Sequence, residues 1–176
     1  HLIRRGDIDA VHEGAEVLDH RGHRVGLHRV VDLDPGRQCG TQLLDWLTRY
    51  TFPAEAAFAD GRVAQRVARD YLDENLRQGI TTAAVFCTVH PGSVDALMRE
   101  AAQRSLRLIA GKVLMDRNAP RALRDTATRG YDESKALIAR WHGRGRLGYA
   151  ITPRFAVTSS PAQLEAAGAL WREHPD

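Results

Sequence analysis

Apolar positions along the chain change their spacing near Gly40. From there "GTQLLDWLTRY" places Leu43, Leu44 and Leu47 on one helical face. "TFPAE" then predicts a break, because Pro53 disfavours the helical conformation at Phe52. After Asp60 a long helix is predicted. Val63, Val67, Tyr71 and Leu76 lie near one stripe of it, with Ala64, Ala68 and Leu72 beside them and Gly79 as the stop. Thr81 to about Cys87 reads as a strand. Pro91-Gly92-Ser93 opens a helix with Ser93 as N-cap and an apolar face of Val94, Leu97, Met98 and Ala101. Leu106 to Met115 is the next strand, and "DRNAP" a loop. Asp132 is expected to cap a helix through Leu137, Ile138 and Trp141 that ends at Gly143. "LGYAIT" is the third strand. Ser160 starts the last helix as a capping box, with Pro161 at its first position and Gln163 reaching back.

Strand and helix therefore alternate, which predicts parallel βαβ units with right-handed crossovers. Three strands leave two sheet edges unpaired, and parallel strands are normally covered on both faces. The fold class is α/β, and the chain reads as part of a larger body such as a section of a barrel. Before Gly40 the pattern differs. Five of the eight histidines crowd there (His1, His12, His20, His23 and His28). Short apolar pairs such as Val30-Val31 sit between turn residues at Arg21-Gly22 and Pro35-Gly36, which predicts a few short strands. The expected units are residues 1–39 and 40–176.

Composition narrows the function classes. The 176 residues suffice for one core, and 43% are apolar. No run is apolar and long enough to span a bilayer, and no signal peptide is evident. A net charge of +3, carried by scattered arginines, gives nucleic-acid binding little support. Cys39 and Cys87 are too far apart for a zinc knuckle and form no disulfide framework, so a reducing cytoplasm is the expected compartment.

In parallel α/β folds the ligand side is the C-terminal end of the strands. Three segments should meet on that rim: Thr88-Val89-His90, Met115 to Asn118, and Thr152 to Phe155. The residues alone leave two readings for each. His90 either faces a ligand or satisfies a loop. Asp116, Arg117 and Asn118 either form a site or hold their own turn. Arg154 and Phe155 are either a binding wall or a surface charge beside a core ring. No His-x-His pair, Walker loop, Gly-x-Gly-x-x-Gly, Gly-x-Ser-x-Gly or deaminase-type Pro-Cys-x-x-Cys occurs.

"GTQLLDWLTRYTFPAE", "TTAAVFCTVHPGSVDAL", "RLIAGKVLMDRNAP", "SKALIARWHGRGRLGYAITPRFA" and "TSSPAQLE" together resemble bacterial guanine deaminases of the amidohydrolase superfamily. The likeness runs almost continuously from Gly40 to Asp176, and "GKVLMDRNAP" and "YAITPRF" are its most specific parts. It implies a partial TIM-type (β/α) barrel of three parallel strands with helices, beside an atypical N-terminal segment from the family's small β-sandwich or from misread sequence. It also implies hydrolytic deamination of guanine to xanthine and ammonia by a zinc-activated water. The Arg-Phe of the family's "TPRF" contacts guanine, and here those residues are Arg154 and Phe155.

The chain departs from the family where "VVDLDPGRQCGTQLLDWL" stands in place of a segment bearing D-x-H-x-H. The family's "H-x-H-x-x-E"-like strand belongs beyond residue 176. Hence no metal-binding or catalytic residue is assigned, and the chain is expected to be partial and inactive by itself. Guanine is the expected partner. Neither nucleic acid nor membrane is expected, and a homodimer is implied for the full-length family. The alternatives are another purine or triazine amidohydrolase, a non-catalytic purine-binding fragment, and a basic nucleic-acid module.

Overall fold

A computed structural model describes residues 43–175 and two short strands nearer the N-terminus, β1 (Val17–Leu18) and β2 (Arg24–Val25). These two pair antiparallel, Val17 opposite Val25 and Leu18 opposite Arg24, on either side of the expected Arg21-Gly22 turn. That turn, the one expected at Pro35-Gly36, and the rest of the 1–39 unit lie outside the described residues.

The break expected at Pro53 does not occur. An α-helical turn over Leu43–Trp46 passes through a π-helical turn, Leu47–Thr51, into a second α-helical segment, Phe52–Ala56. The Phe52 N–H bonds to the Leu47 carbonyl, five residues back. Pro53 thereby falls in the first turn of the new segment, where its missing N–H costs no hydrogen bond. Of the expected apolar face only Leu47 is buried; Leu43 and Leu44 are 58% and 54% exposed.

Helix α1 (Gly61–Arg77) begins at Asp60, whose carboxylate accepts the Arg62 N–H at 2.8 Å. Its buried line runs through Ala64, Ala68, Leu72 and Asn75, while Val67 and Tyr71 are half-buried and Leu76 is exposed. Burial is thus rotated away from the expected stripe. The small alanines let α1 lie closely along α2 (Pro91–Gln103). Gly79, with φ +77°, ends the turn after α1 as expected.

Strands β3 (Thr82–Phe86), β4 (Arg107–Gly111) and β6 (Leu147–Tyr149) form a parallel sheet with β4 in the middle. Ala84 lies opposite Ile109, and Ile109 opposite Gly148. Further along, β5 (Val113–Leu114) pairs in parallel with β7 (Thr152–Pro153). The expected strands over 106–115 and 147–152 are therefore each interrupted, at Lys112 and at Ala150-Ile151. Side chains replace the ladder there. The Tyr149 hydroxyl accepts the Lys112 N–H at 3.2 Å, and the Thr152 hydroxyl donates to the Lys112 carbonyl at 2.7 Å. The Ala150 carbonyl oxygen lies only 1.9 Å from where a Cβ on Gly111 would stand, so this interruption needs glycine.

Helix starts also differ from the sequence reading. The cap of α2 is His90, followed by Pro91. Ser93 instead ties the preceding turn together: its hydroxyl donates to the His90 carbonyl at 2.8 Å and accepts the Thr88 N–H at 3.2 Å. Helix α3 (Ala127–Trp141) begins at Thr126, whose hydroxyl accepts the Arg129 N–H at 3.1 Å, so Asp132 lies inside it. Gly143, at φ +73°, follows its end. Helix α4 (Pro161–Glu173) is capped by Ser160, which accepts the Gln163 N–H at 3.2 Å. The Gln163 side chain does not complete the box. It is buried, and the Ser160 N–H goes to Asp116 at 2.7 Å.

The helices cover one face of the sheet. Leu108, Ala110, Leu147 and Tyr149 pack there against Val94, Met98, Leu137 and Leu170. Burying a side chain such as Leu108, with no exposed surface, contributes roughly 1.5–3 kcal/mol. On the other face Phe86 is 62% exposed. Three parallel strands with helices on one side are a section of barrel wall. Among the described residues no helix is long and apolar enough to cross a membrane.

Candidate functional site

Parallel pairing brings the three expected strand ends together on one rim. The Thr88 carbonyl accepts the Val113 N–H at 3.1 Å, and the Leu114 carbonyl accepts the Arg154 N–H at 3.2 Å. An apolar cluster of Leu47, Phe52, Val89, Val113, Met115 and Leu123 lies among these ends, with Phe155 packed partly buried against it. A cleft of about 450 Å³ lies elsewhere. It is lined by Leu106, Trp141, Arg146 and neighbours at the start of β4 and β6, away from the rim.

Arg154 is not a solvated surface charge. Its side chain is only 16% exposed, and Nη1 lies 2.7 Å from Glu55, itself 12% exposed. The guanidinium carbon stands 5.6 Å from the centroid of the Phe52 ring, within cation–π range. The aromatic partner of Arg154 is therefore Phe52, while the adjacent Phe155 lends its ring to the apolar cluster. Sequence reasoning missed Phe52 and Glu55. The available signal was their spacing of three around Pro53 in "TFPAE", which places both on one side of a helical turn.

Asp116, Arg117 and Asn118 brace the segment that carries Arg154, and their polar groups are engaged across to it rather than within their own turn. The Asp116 and Arg117 N–H groups donate to the Thr158 carbonyl at 3.0 and 3.2 Å. Arg117 Nη2 donates to the Ala156 carbonyl at 2.6 Å, and Asn118 Nδ2 to that of Val157 at 2.7 Å. Asn118 adopts φ +50°, which asparagine tolerates better than most residues. Asp116 accepts from both the N–H and the hydroxyl of Ser160.

His90 is half-buried at the rim, and its Nε2 has no hydrogen-bond partner among the described residues. Burial first, then the positive charges of Lys112 and Arg129, hold its pKa below the usual histidine value, favouring the neutral ring. Lys112 is fully buried and paired with Asp125, with Glu133 3.2 Å away; Arg129 Nε donates to Asp125 at 2.6 Å. This network joins the strand interruption to the start of α3.

The described donors do not make a metal centre. Among the described residues no three His, Cys, Asp or Glu side chains gather as ligands would. His142 Nδ1 already accepts the Tyr149 N–H at 3.1 Å. Burial pushes the Cys87 thiol up to about 12, far from the thiolate a metal takes. His20, His23 and His28 lie outside the described residues.

The profile of the family described as "Amidohydrolase family" matches residues 30–175. Guanine deaminase of Escherichia coli (strain K12) is 55% identical over 137 residues, which are 78% of this chain and 31% of that protein. A probable guanine deaminase of Deinococcus radiodurans is 46% identical over 137 residues, again 78% of this chain and 31% of the relative. The solved structure of E. coli guanine deaminase superposes with a TM-score of 0.77 at 55% identity, covering 78% of this chain and 32% of that one. The chain thus spans about a third of the length of the curated relatives it matches.

Proposed function

We propose that this chain, which belongs to the amidohydrolase family, supplies the purine-recognition wall of a cytoplasmic guanine aminohydrolase. The reaction would add water across the ring carbon bearing the amino group of guanine and release xanthine and ammonia. The observation that carries the reading is Arg154, held at a strand C-terminus beside an aromatic face, in a chain 55% identical to a guanine deaminase.

Arg154 and Phe155 are the residues we assign to substrate. Glu55 takes only Nη1 of a guanidinium that carries five N–H donors, so a planar pair remains to address the O6/N7 edge of guanine. Phe155 supplies an apolar wall continuous with Met115 and Val89. The loop of Asp116 to Asn118 keeps that wall in place.

Amidohydrolases usually use a metal to activate water. The described residues do not fit one, so zinc is assigned to none of them, and neither is the proton transfer to the leaving ammonia. Residues 1–39 are assigned to a separate N-terminal unit, as the sequence pattern suggests.

Competition binding tests the reading. Guanine should bind this chain at least about tenfold more tightly than adenine or a triazine. Equal binding of all three would overturn it.

A further inference from the structure

We infer that Glu55 is a positioning residue for Arg154, and that it also cancels the charge of the purine-facing wall. The inference rests on the reading of Arg154 as a purine contact. The two residues are 99 positions apart in sequence, yet their side chains meet at 2.7 Å with both largely shielded from water. Glu55 sits on the short Phe52–Ala56 segment, and Phe52 of the same segment offers its ring to the same guanidinium. Two contacts from one turn thus fix a side chain with four rotatable bonds. Shielding strengthens this pairing beyond that of an exposed ion pair.

The π-helical turn at Leu47–Thr51 has a part in this. It carries the chain past Pro53 without ending the helix, so that Phe52 and Glu55 keep helical spacing and face one target. Leu47 and Phe52 anchor the segment in the rim cluster.

Charge cancellation has a chemical consequence. Guanine is neutral near pH 7, while urate is an anion. A lone guanidinium would favour the anion, whereas one already paired with a carboxylate presents hydrogen-bond donors with little net charge. The Glu55–Arg154 pair therefore selects a neutral purine edge over an anionic one.

Two measurements on the 176-residue chain decide this. The first needs no ligand: the rate of Arg154 modification by phenylglyoxal, followed by mass spectrometry. In Glu55→Gln that rate should rise several-fold and in Glu55→Asp stay nearer the original, while Arg140, paired with Asp95, keeps its rate in both. An unchanged Arg154 rate overturns the inference, whatever the chain binds. The second compares guanine with urate. Glu55→Gln should raise the urate-to-guanine affinity ratio by about tenfold. A substitution that merely loosened the fold would weaken both and leave the ratio unchanged, and that result also overturns the inference. If the original chain binds no purine at all, the reading of Arg154 as a purine contact falls, and the phenylglyoxal rate still decides whether Glu55 positions it.

Discussion

Lys112 and Asp125 form an ion pair in which neither side chain has exposed surface. Lys112 interrupts the central strand, and Asp125 stands just before α3. Their pairing fixes the sheet to the helix that follows it. Arg129 also bonds Asp125, and Glu133 lies 3.2 Å from Lys112, so the buried charges are shared among four groups.

Lys112→Met should destabilise the fold by about 3–5 kcal/mol, because it leaves Asp125 and Glu133 without their buried cation. Chemical denaturation would read the loss. The double substitution Lys112→Met with Asp125→Leu should cost less than the sum of the two single changes, since it removes both charges together.

Gly111→Ala should be costly for another reason. The atom in the way is a backbone carbonyl oxygen, which cannot rotate aside. We expect a loss of about 3 kcal/mol, read by thermal or denaturant melting. Gly92→Ala is the matched control, since a Cβ there meets nothing within 4 Å, and it should not destabilise the fold.

His90 predicts a pH dependence. Its pKa in the fold is lowered from the ordinary histidine value of 6.5, so the unfolded chain takes up its proton first as pH falls. The contribution is complete above that value and is lost as pH drops from it towards the folded value. Melting temperature measured from about pH 7.5 to about 5.5 should fall less in His90→Asn than in the original chain. Equal slopes would show that His90 titrates alike in both states.

The chain's period identified the strands, their direction and the rim on which their ends meet, because alternation of apolar runs and helical stripes survives in one dimension. Arg154 stood out for the same reason, at the end of an apolar run before a helix start. Glu55 did not, since its partner is 99 residues away and Pro53 read as a breaker. Only the π-helical turn shows how the helix passes that proline. The burial of the lone lysine inside "LIAGKVLM" was not read from the sequence, and nothing local distinguished Asp125 from the other carboxylates. Ser93 and Asp132 were plausible caps by type. Their neighbours His90 and Thr126 took the positions because the chain turns earlier, at Pro91 and at the loop after β5.

Whether Arg154 holds the purine is decided by equilibrium dialysis of radiolabelled guanine against the 176-residue chain and its Arg154→Ala variant. Saturable binding to the original chain is expected, with affinity at least about tenfold weaker in the variant, the scale of one lost charge-assisted hydrogen bond. Equal affinity in both, or no saturable binding to the original chain, would contradict that role for Arg154.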